Sequence, residues 1–225
     1  GSGIYITFDG GENWTKRTEE DGLPKGNLGR NGLAISKSNP KIVYALIEAE
    51  KNALYKSEDG GFKWKKINDS ENINNRPFYY AEIYVDPLNE NRLYSMHTFV
   101  TVSIDGGKTF EQLMPAYNTN KGVHPDHHAW WIHPTNPNYI INGNDGGLNI
   151  SYDQGKTWRF AENIPIGQFY HVNVDLEFPY NVYGGMQDNG SWYGPAYVLK
   201  DQGIRNSYWQ EVMFGDGFDV VPDLK

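Results

Sequence analysis

One eight-residue pattern recurs four times in this chain and constrains it more than any other feature. It reads Thr7-Phe-Asp9-Gly-Gly11-Glu-Asn-Trp14, then Ser57-Glu-Asp59-Gly-Gly61-Phe-Lys-Trp64. Ser103-Ile-Asp105-Gly-Gly107-Lys-Thr-Phe110 and Ser151-Tyr-Asp153-Gln-Gly155-Lys-Thr-Trp158 follow. Successive aspartates lie 50, 46 and 48 residues apart. Such a period marks a repeat architecture, and each copy has a structural chemistry of its own. The Asp carboxylate accepts hydrogen bonds from backbone N–H groups two or more residues on, closing a turn. Gly at the fifth position supplies a positive φ, and the final aromatic packs the returning strand onto its sheet. The twelve residues Asp9, Gly11, Trp14, Asp59, Gly61, Trp64, Asp105, Gly107, Phe110, Asp153, Gly155 and Trp158 are therefore read as structural.

A second punctuation keeps the same period. Pro40, Pro87, Pro134 and Pro179 lie 47, 47 and 45 residues apart. Each separates two apolar runs, such as those ending at Leu46 and Ile141. A repeat then reads strand, Pro/Asn turn, strand, short loop, strand, Asp turn, strand. Four strands in about 47 residues predict an all-β propeller with four-stranded blades. A β-sandwich would not explain the fixed period. The expected blades are 30–67, 78–114, 127–160 and 169–213. Residues 1–20 supply only the outer half of a blade, and 216–225 start a further one. The ring is incomplete on this count, so the chain reads as one partial propeller domain. The remaining blades of a larger propeller, seven-bladed or longer, are expected to cover its open edges.

Composition narrows the functional classes. The formal net charge is −8 and no Lys/Arg run exceeds two residues, which argues against nucleic acid and anionic membrane surfaces as partners. There is no Cys, which removes disulfide scaffolds, Cys-ligated zinc and thiol catalysis. No run of eighteen apolar residues exists, so direct membrane insertion is not expected. No Gly-x-Ser-x-Gly elbow, phosphate loop or His-Glu-x-x-His appears, and no cofactor is expected.

Antiparallel strands send alternate loops to opposite ends of a blade. The Asp turns occupy one end. The loops that lead into first strands, and those joining second to third strands, occupy the other. There the sequence places Val123-His124-Pro-Asp126-His127-His128-Ala-Trp130-Trp131, Asn144-Asp145-Gly-Gly147, Gln187-Asp188-Asn-Gly190 with Trp192, and Gly215-Asp216-Gly217. His97 sits at the equivalent place one blade earlier. His97, His124, Asp126, His127, His128, Trp130, Asp145, Asp188, Trp192 and Asp216 are thus candidate ligand-binding residues converging on one rim. Three readings compete. The acids close turns and the aromatics plug the end. Alternatively, carboxylates and Trp faces bind a glycan or a peptide. In the third, two of Asp216, Asp188 and Asp126 are catalytic in glycoside hydrolysis, which requires carboxyl groups about 5–9.5 Å apart. His124-x-Asp126-His127-His128 contains metal-ligand types, but adjacent His127 and His128 point to opposite faces of a strand, so no metal site is expected.

The four turns resemble the Asp boxes of the BNR-repeat propellers. The longer strings His124-Pro-Asp-His-His-Ala-Trp-Trp-Ile-His-Pro134, Asn144-Asp-Gly-Gly147, Tyr183-Gly-Gly-Met-Gln-Asp-Asn-Gly-Ser-Trp192 and Gly215-Asp-Gly-Phe218 are similar to large secreted bacterial propellers of the sortilin-type or glycosyl-hydrolase-like class, common in Bacteroidota. The resemblance covers essentially the whole chain. It implies a long parent protein and a secreted or cell-surface location. It implies either a peptide-binding channel without enzymatic activity, or xyloglucan hydrolysis by two aspartates, with Asp216 the position to compare with a catalytic acid. A purely structural subunit of a cell-surface assembly is the remaining alternative. Sialidases need an arginine triad; Arg17, Arg30, Arg76, Arg92, Arg159 and Arg205 all fall outside the rim motifs, which disfavours that activity.

Overall fold

The structure, a computed structural model, describes residues 2–80, 82–114 and 123–224. It is all-β, and no α-helix occurs among the described residues. The chain divides into two compact units, Gly1–Ala161 and Glu162–Lys225.

The first unit opens with a hairpin of β1 (Ile4–Ile6) and β2 (Thr15–Arg17). Three four-stranded antiparallel meanders follow. The first comprises β3 (Asn31–Ile35), β4 (Val43–Ile47), β5 (Ala53–Ser57) and β6 (Lys65–Asn68). The second comprises β7 (Glu82–Asp86), β8 (Asn89–Met96), β9 (Val100–Ser103) and β10 (Glu111–Gln112). The third comprises β11 (His127–Ile132), β12 (Ile140–Asn144), β13 (Gly147–Ser151) and β14 (Arg159–Phe160). The second unit is one further meander of β15 (Phe169–Val174), β16 (Asn181–Met186), β17 (Ser191–Pro195) and β18 (Gln210–Met213). These sheets are the blades that the period implies. Residues 216–224, read as the start of a further blade, form no ladder. They run beside β15, where Asn173 Nδ2 donates to the Val220 carbonyl at 2.9 Å.

The burial pattern explains why the sequence reads as apolar runs rather than strict alternation. All five residues of β4 are buried. Val43, Ala45 and Ile47 pack with Ile4 of the first hairpin, while Tyr44 and Leu46 pack with Ile83, Leu93 and Phe110 of the next sheet. Tyr94, Met96 and Val100 then join Trp130 and Ile140 of the third. Each interior sheet is thus covered on both faces, and both side-chain sets must be apolar.

All four Asp turns close as their chemistry requires. In each, the Ser or Thr hydroxyl donates to Asp Oδ1 and accepts the N–H of the fifth-position Gly. Asp Oδ1 also accepts the N–H four residues on, at 2.8–3.0 Å. The indoles of Trp14, Trp64 and Trp158 donate back to the Gly carbonyl at 2.9 Å. Backbone bonds from Asn13 hold Asp9 well below the usual carboxylate range, and the bond from Lys63 lowers Asp59. Burial acts against the shift at Asp105, but bonds from Thr109 and Ser103 bring it to about 2. Trp14 departs from the packing role expected of it: it is 59% exposed, against 7% for Trp64. The last sheet has no Asp turn between its third and fourth strands. Its β16–β17 hairpin carries the related bond instead, Trp192 Nε1 to Asn189 O at 2.7 Å.

The two ends of the blades are distinct. In the three full sheets of the first unit each Asp turn bonds to the turn between first and second strands or to the start of the second strand: Gly60 N to Lys41 O, Gly106 N to Asn91 O at the start of β8, and Gln154 N to Asn138 O. The histidine-rich loop is tied to the opposite end. Asp126 N donates to Thr98 O, His127 N to His97 O, and Asp145 N to Asp126 O.

Candidate functional site

The first strands β3, β7 and β11 are the edge strands of their sheets. Between them runs a groove of about 630 Å³. Its apolar wall includes Leu33, Ile35 and Trp131, which are 53%, 64% and 45% exposed. Arg30 and Glu82 mark one end, and Lys37, Pro87 and Pro134 the other. Two buried polar atoms among the lining residues have no hydrogen-bond partner, Asn31 Oδ1 and Trp130 Nε1. A groove with an apolar floor, few polar groups and charged ends suits an extended ligand.

The Arg30 end continues into a polar cluster. Arg30 spans from the start of β3 to the start of β7, donating to Tyr79 O at 2.6 Å and Glu82 Oε1 at 2.7 Å. The Tyr79 ring meets His128 edge-on at 5.7 Å. His128 Nε2 lies 3.1 Å from Asp145 Oδ1, and its ring lies 5.3 Å from that of Tyr80. Tyr80 is fully buried and donates to Asp126 Oδ1 at 2.6 Å. Arg76 stands 3.9 Å from the same oxygen and over the rings of Tyr79 and Tyr80. Burial, and then the Asp126 carboxylate, raise the Tyr80 phenol far above its ordinary range, so it stays a neutral donor. Asp126 adopts φ 61°, a left-handed conformation unusual for a residue with a side chain. The adjoining loop packs tightly: a Cβ on Gly146 would meet the His124 side chain at 2.5–2.9 Å.

Asp126, His128, Asp145 and His124 thus do gather at one rim of the first unit. Other candidates do not reach its surface. His97 and His127 are each 2% exposed, and Trp130 is 6% exposed. For His127 and Trp130 the cause is a bulge between His127 and Ala129, which puts both on the packed face and leaves His128 and Trp131 exposed. Trp130 packs between Tyr94 and Trp158, so it offers no face to a ligand. His97 Nδ1 accepts the N–H of Phe99, which leaves Nε2–H to donate to Asn72 O. Asn142 Nδ2 donates to Ala129 O, which turns its oxygen toward His127 Nδ1–H. Burial pushes His97 down and His127 down to about 4, so both stay neutral at ordinary pH.

Asp188, Trp192 and Asp216 belong to the second unit and form a cluster of their own. Asp216 Oδ1 accepts the N–H of Asp188 at 2.9 Å, and Asp188 adopts φ 56°. Gly190 N donates to Gly215 O, and Gly217 N to Met186 O. Tyr170 stacks on Phe218 at 4.8 Å, its phenol raised by burial and then by Asp216 and Asp188. Among the described residues no group of three or more His, Asp or Glu side chains is arranged to hold a metal ion.

Sequence reasoning missed Arg30, Arg76, Tyr79 and Tyr80 and held the arginines away from the rim. They lie in connections between blades, outside any repeated motif. The signal that was present is the run Phe78-Tyr79-Tyr80 immediately before a first strand.

No protein-family model matches the chain. Over 114 residues, half of the chain, it is 30% identical to a curated xyloglucanase of Paenibacillus, of which it spans a tenth. An ancestral GH74 enzyme superposes with a TM-score of 0.53 at 16% identity, over 93% of this chain and 28% of that one. YCF48 bound to D1 peptide gives 0.48 at 12% identity, over 92% of this chain and 59% of that one. The GH74 likeness shows the fold, a β-propeller built of four-stranded blades, and this chain covers well under a third of that enzyme.

Proposed function

We propose that this chain is part of an extracytoplasmic Asp-box propeller that binds an extended polymer, a surface glycan or a polypeptide. The groove along β3, β7 and β11 carries this reading. It exposes Leu33, Ile35 and Trp131 in a concave surface, where isolated apolar side chains would need no explanation but a lined groove does. The Arg30–Tyr79–His128–Asp145 chain at its end supplies donors and acceptors for hydroxyl or peptide groups. The test is calorimetric titration of the 225-residue protein with a panel of soluble polysaccharides and with a mixture of unstructured peptides. Binding in one arm, weakened about tenfold by Trp131→Ala at unchanged melting temperature, is expected. Absence of binding in both arms would sink the reading and favour a purely structural subunit.

A second reading, glycoside hydrolysis, rests on the bond between the Asp188 N–H and the Asp216 carboxylate and on the xyloglucanase relative. It places the acid and the base at Asp188 and Asp216, within the second unit. Release of reducing sugar from xyloglucan, abolished by Asp216→Asn, would support it. Equal activity of wild type and Asp216→Asn would remove it.

A further inference from the structure

The four Asp turns share one pattern but differ at its seventh position. In the first, third and fourth turns that residue is Asn13, Thr109 and Thr157, and its side chain donates to Oδ2 of the turn's own aspartate at 2.6–2.7 Å. In the second turn it is Lys63, whose ammonium reaches away to Glu20 O and Asp21 Oδ1. The Ser57 hydroxyl and the N–H groups of Phe62 and Lys63 all bond to Asp59 Oδ1. Asp59 Oδ2 is therefore a carboxylate oxygen whose acceptor capacity its own turn does not use. Asp59 borders a second cavity, of about 500 Å³, between the Asp turns of the first and second full sheets. Lys56 and Lys65 stand directly opposite each other on β5 and β6, and Lys108 lines the same cavity from the neighbouring sheet. Like charges placed opposite one another on a sheet repel. Glu58 answers Lys56 at 2.8 Å, and Asp105 is taken up by the bonds of its own turn. Among the described residues Lys65 and Lys108 make no ion pair. Ile67 and Trp64 give the cavity its apolar lining. A ligand that satisfies these groups brings an anionic group for the lysines, an O–H donor for Asp59 and a C–H face for Ile67.

We propose that this cavity binds a hexuronate unit of an acidic polysaccharide. The uronate carboxylate lies between Lys65 and Lys108, and a ring hydroxyl donates to Asp59 Oδ2. All the required groups sit on one rigid pyranose ring, so few rotors are frozen on binding. An acidic peptide would have to order several side chains to present the same set. The cavity shares no lining residue with the groove along β3, β7 and β11, so its ligand is independent of the one that the groove takes.

Calorimetric titration of the 225-residue protein with a short oligogalacturonate, with the neutral oligogalactose of the same length and with oligoglutamate decides the matter. Binding of the uronate alone is expected, weakened about tenfold by Lys65→Ala and by Lys108→Ala, as loss of one charge-assisted bond requires. Lys63→Thr supplies Asp59 Oδ2 with the hydroxyl found in the third and fourth turns. It should weaken binding more than Lys63→Met, which removes the same charge and leaves Oδ2 open. All three lysines are exposed, so these variants keep the fold. Bound uronate should also shield Lys65 and Lys108 from acetylation by acetic anhydride, and leave Lys37 at the groove reactive. Absence of uronate binding, equal binding of the neutral oligosaccharide, or shielding of Lys37 in place of Lys65 and Lys108 overturns the proposal. So does tighter binding of oligoglutamate, because the occupant would then be an acidic peptide.

Discussion

The two ends of the three full sheets in the first unit use the same residue types in opposite ways. At the turn end, Asp59, Asp105 and Asp153 are each answered by their own turn, within four residues. At the rim end, Asp126 is answered by Tyr80, 46 residues away, and Asp145 by His128 on the neighbouring strand β11. A carboxylate satisfied locally can be copied from repeat to repeat without disturbing its surroundings. A carboxylate satisfied across segments belongs to a composite surface, which differs at every blade. The turn end therefore carries stability, and under the proposed function the rim end carries recognition.

The largest expected effect lies at the turn end. Trp64→Ala removes a buried indole that bonds Gly61 O and fills the core with Ile4, Val43 and Ala45. The expected loss is about 3–5 kcal/mol in chemical denaturation. Trp131→Ala at the groove should cost less than about 0.5 kcal/mol, as exposed substitutions do. Comparable losses at the two positions would break the division between the ends.

Acid should separate the ends next. His127 is held down to about 4 by burial, with His97 and His124 pushing the same way and Asp126 and the Asn142 bond opposing. A base with a lowered folded pKa is favoured neutral, so its contribution is complete above the unfolded value near 6.5. It is lost as pH falls toward 4, by about 3 kcal/mol in all. The lowered carboxylates of the turns run later: their contribution is complete above about 3.8 and fades as pH falls toward 2. Hydrogen exchange at pH 5 should therefore rise at the amides of Asp126 and His127 before those of Gly61 and Gly107. Simultaneous exposure at both ends would contradict the assignment of the histidines.

This contrast also explains what could be read from the sequence. The turns were legible because each is complete within eight residues, and their spacing gave the blades. The position of Asp126, His128 and Asp145 at one end followed from strand alternation. His127 and Trp130 did not, because a one-residue bulge in β11 decides which of two adjacent side chains is buried, and no local pattern announces it; His97, just past β8, is covered by the histidine-rich loop tied to it through His127 N. Tyr80 and Arg76 were invisible for the opposite reason. Their partners come from another blade, and no period links them.

Smaller effects test whether the carboxylates differ as claimed. Asp105→Ala leaves the N–H groups of Lys108 and Thr109 and two hydroxyls without their acceptor. It should cost about 1–3 kcal/mol with no change in ligand affinity at the groove. Asp59→Ala should behave alike, because its oxygen also accepts two backbone N–H groups.

Asp145→Asn is the mildest change and the most informative. His128 is 40% exposed in its side chain, so solvent screens its attraction to Asp145, and the pair contributes less than about 1 kcal/mol. The amide oxygen of Asn can still accept from His128 Nε2, which keeps the geometry while removing the negative charge. Stability should therefore change within the error of a melting curve. A ligand that uses the rim should nevertheless bind more weakly, because the charge next to Tyr79 and Tyr80 is gone. Loss of stability without loss of binding would place Asp145 with the turn aspartates, and the rim would then be a scaffold like the opposite end.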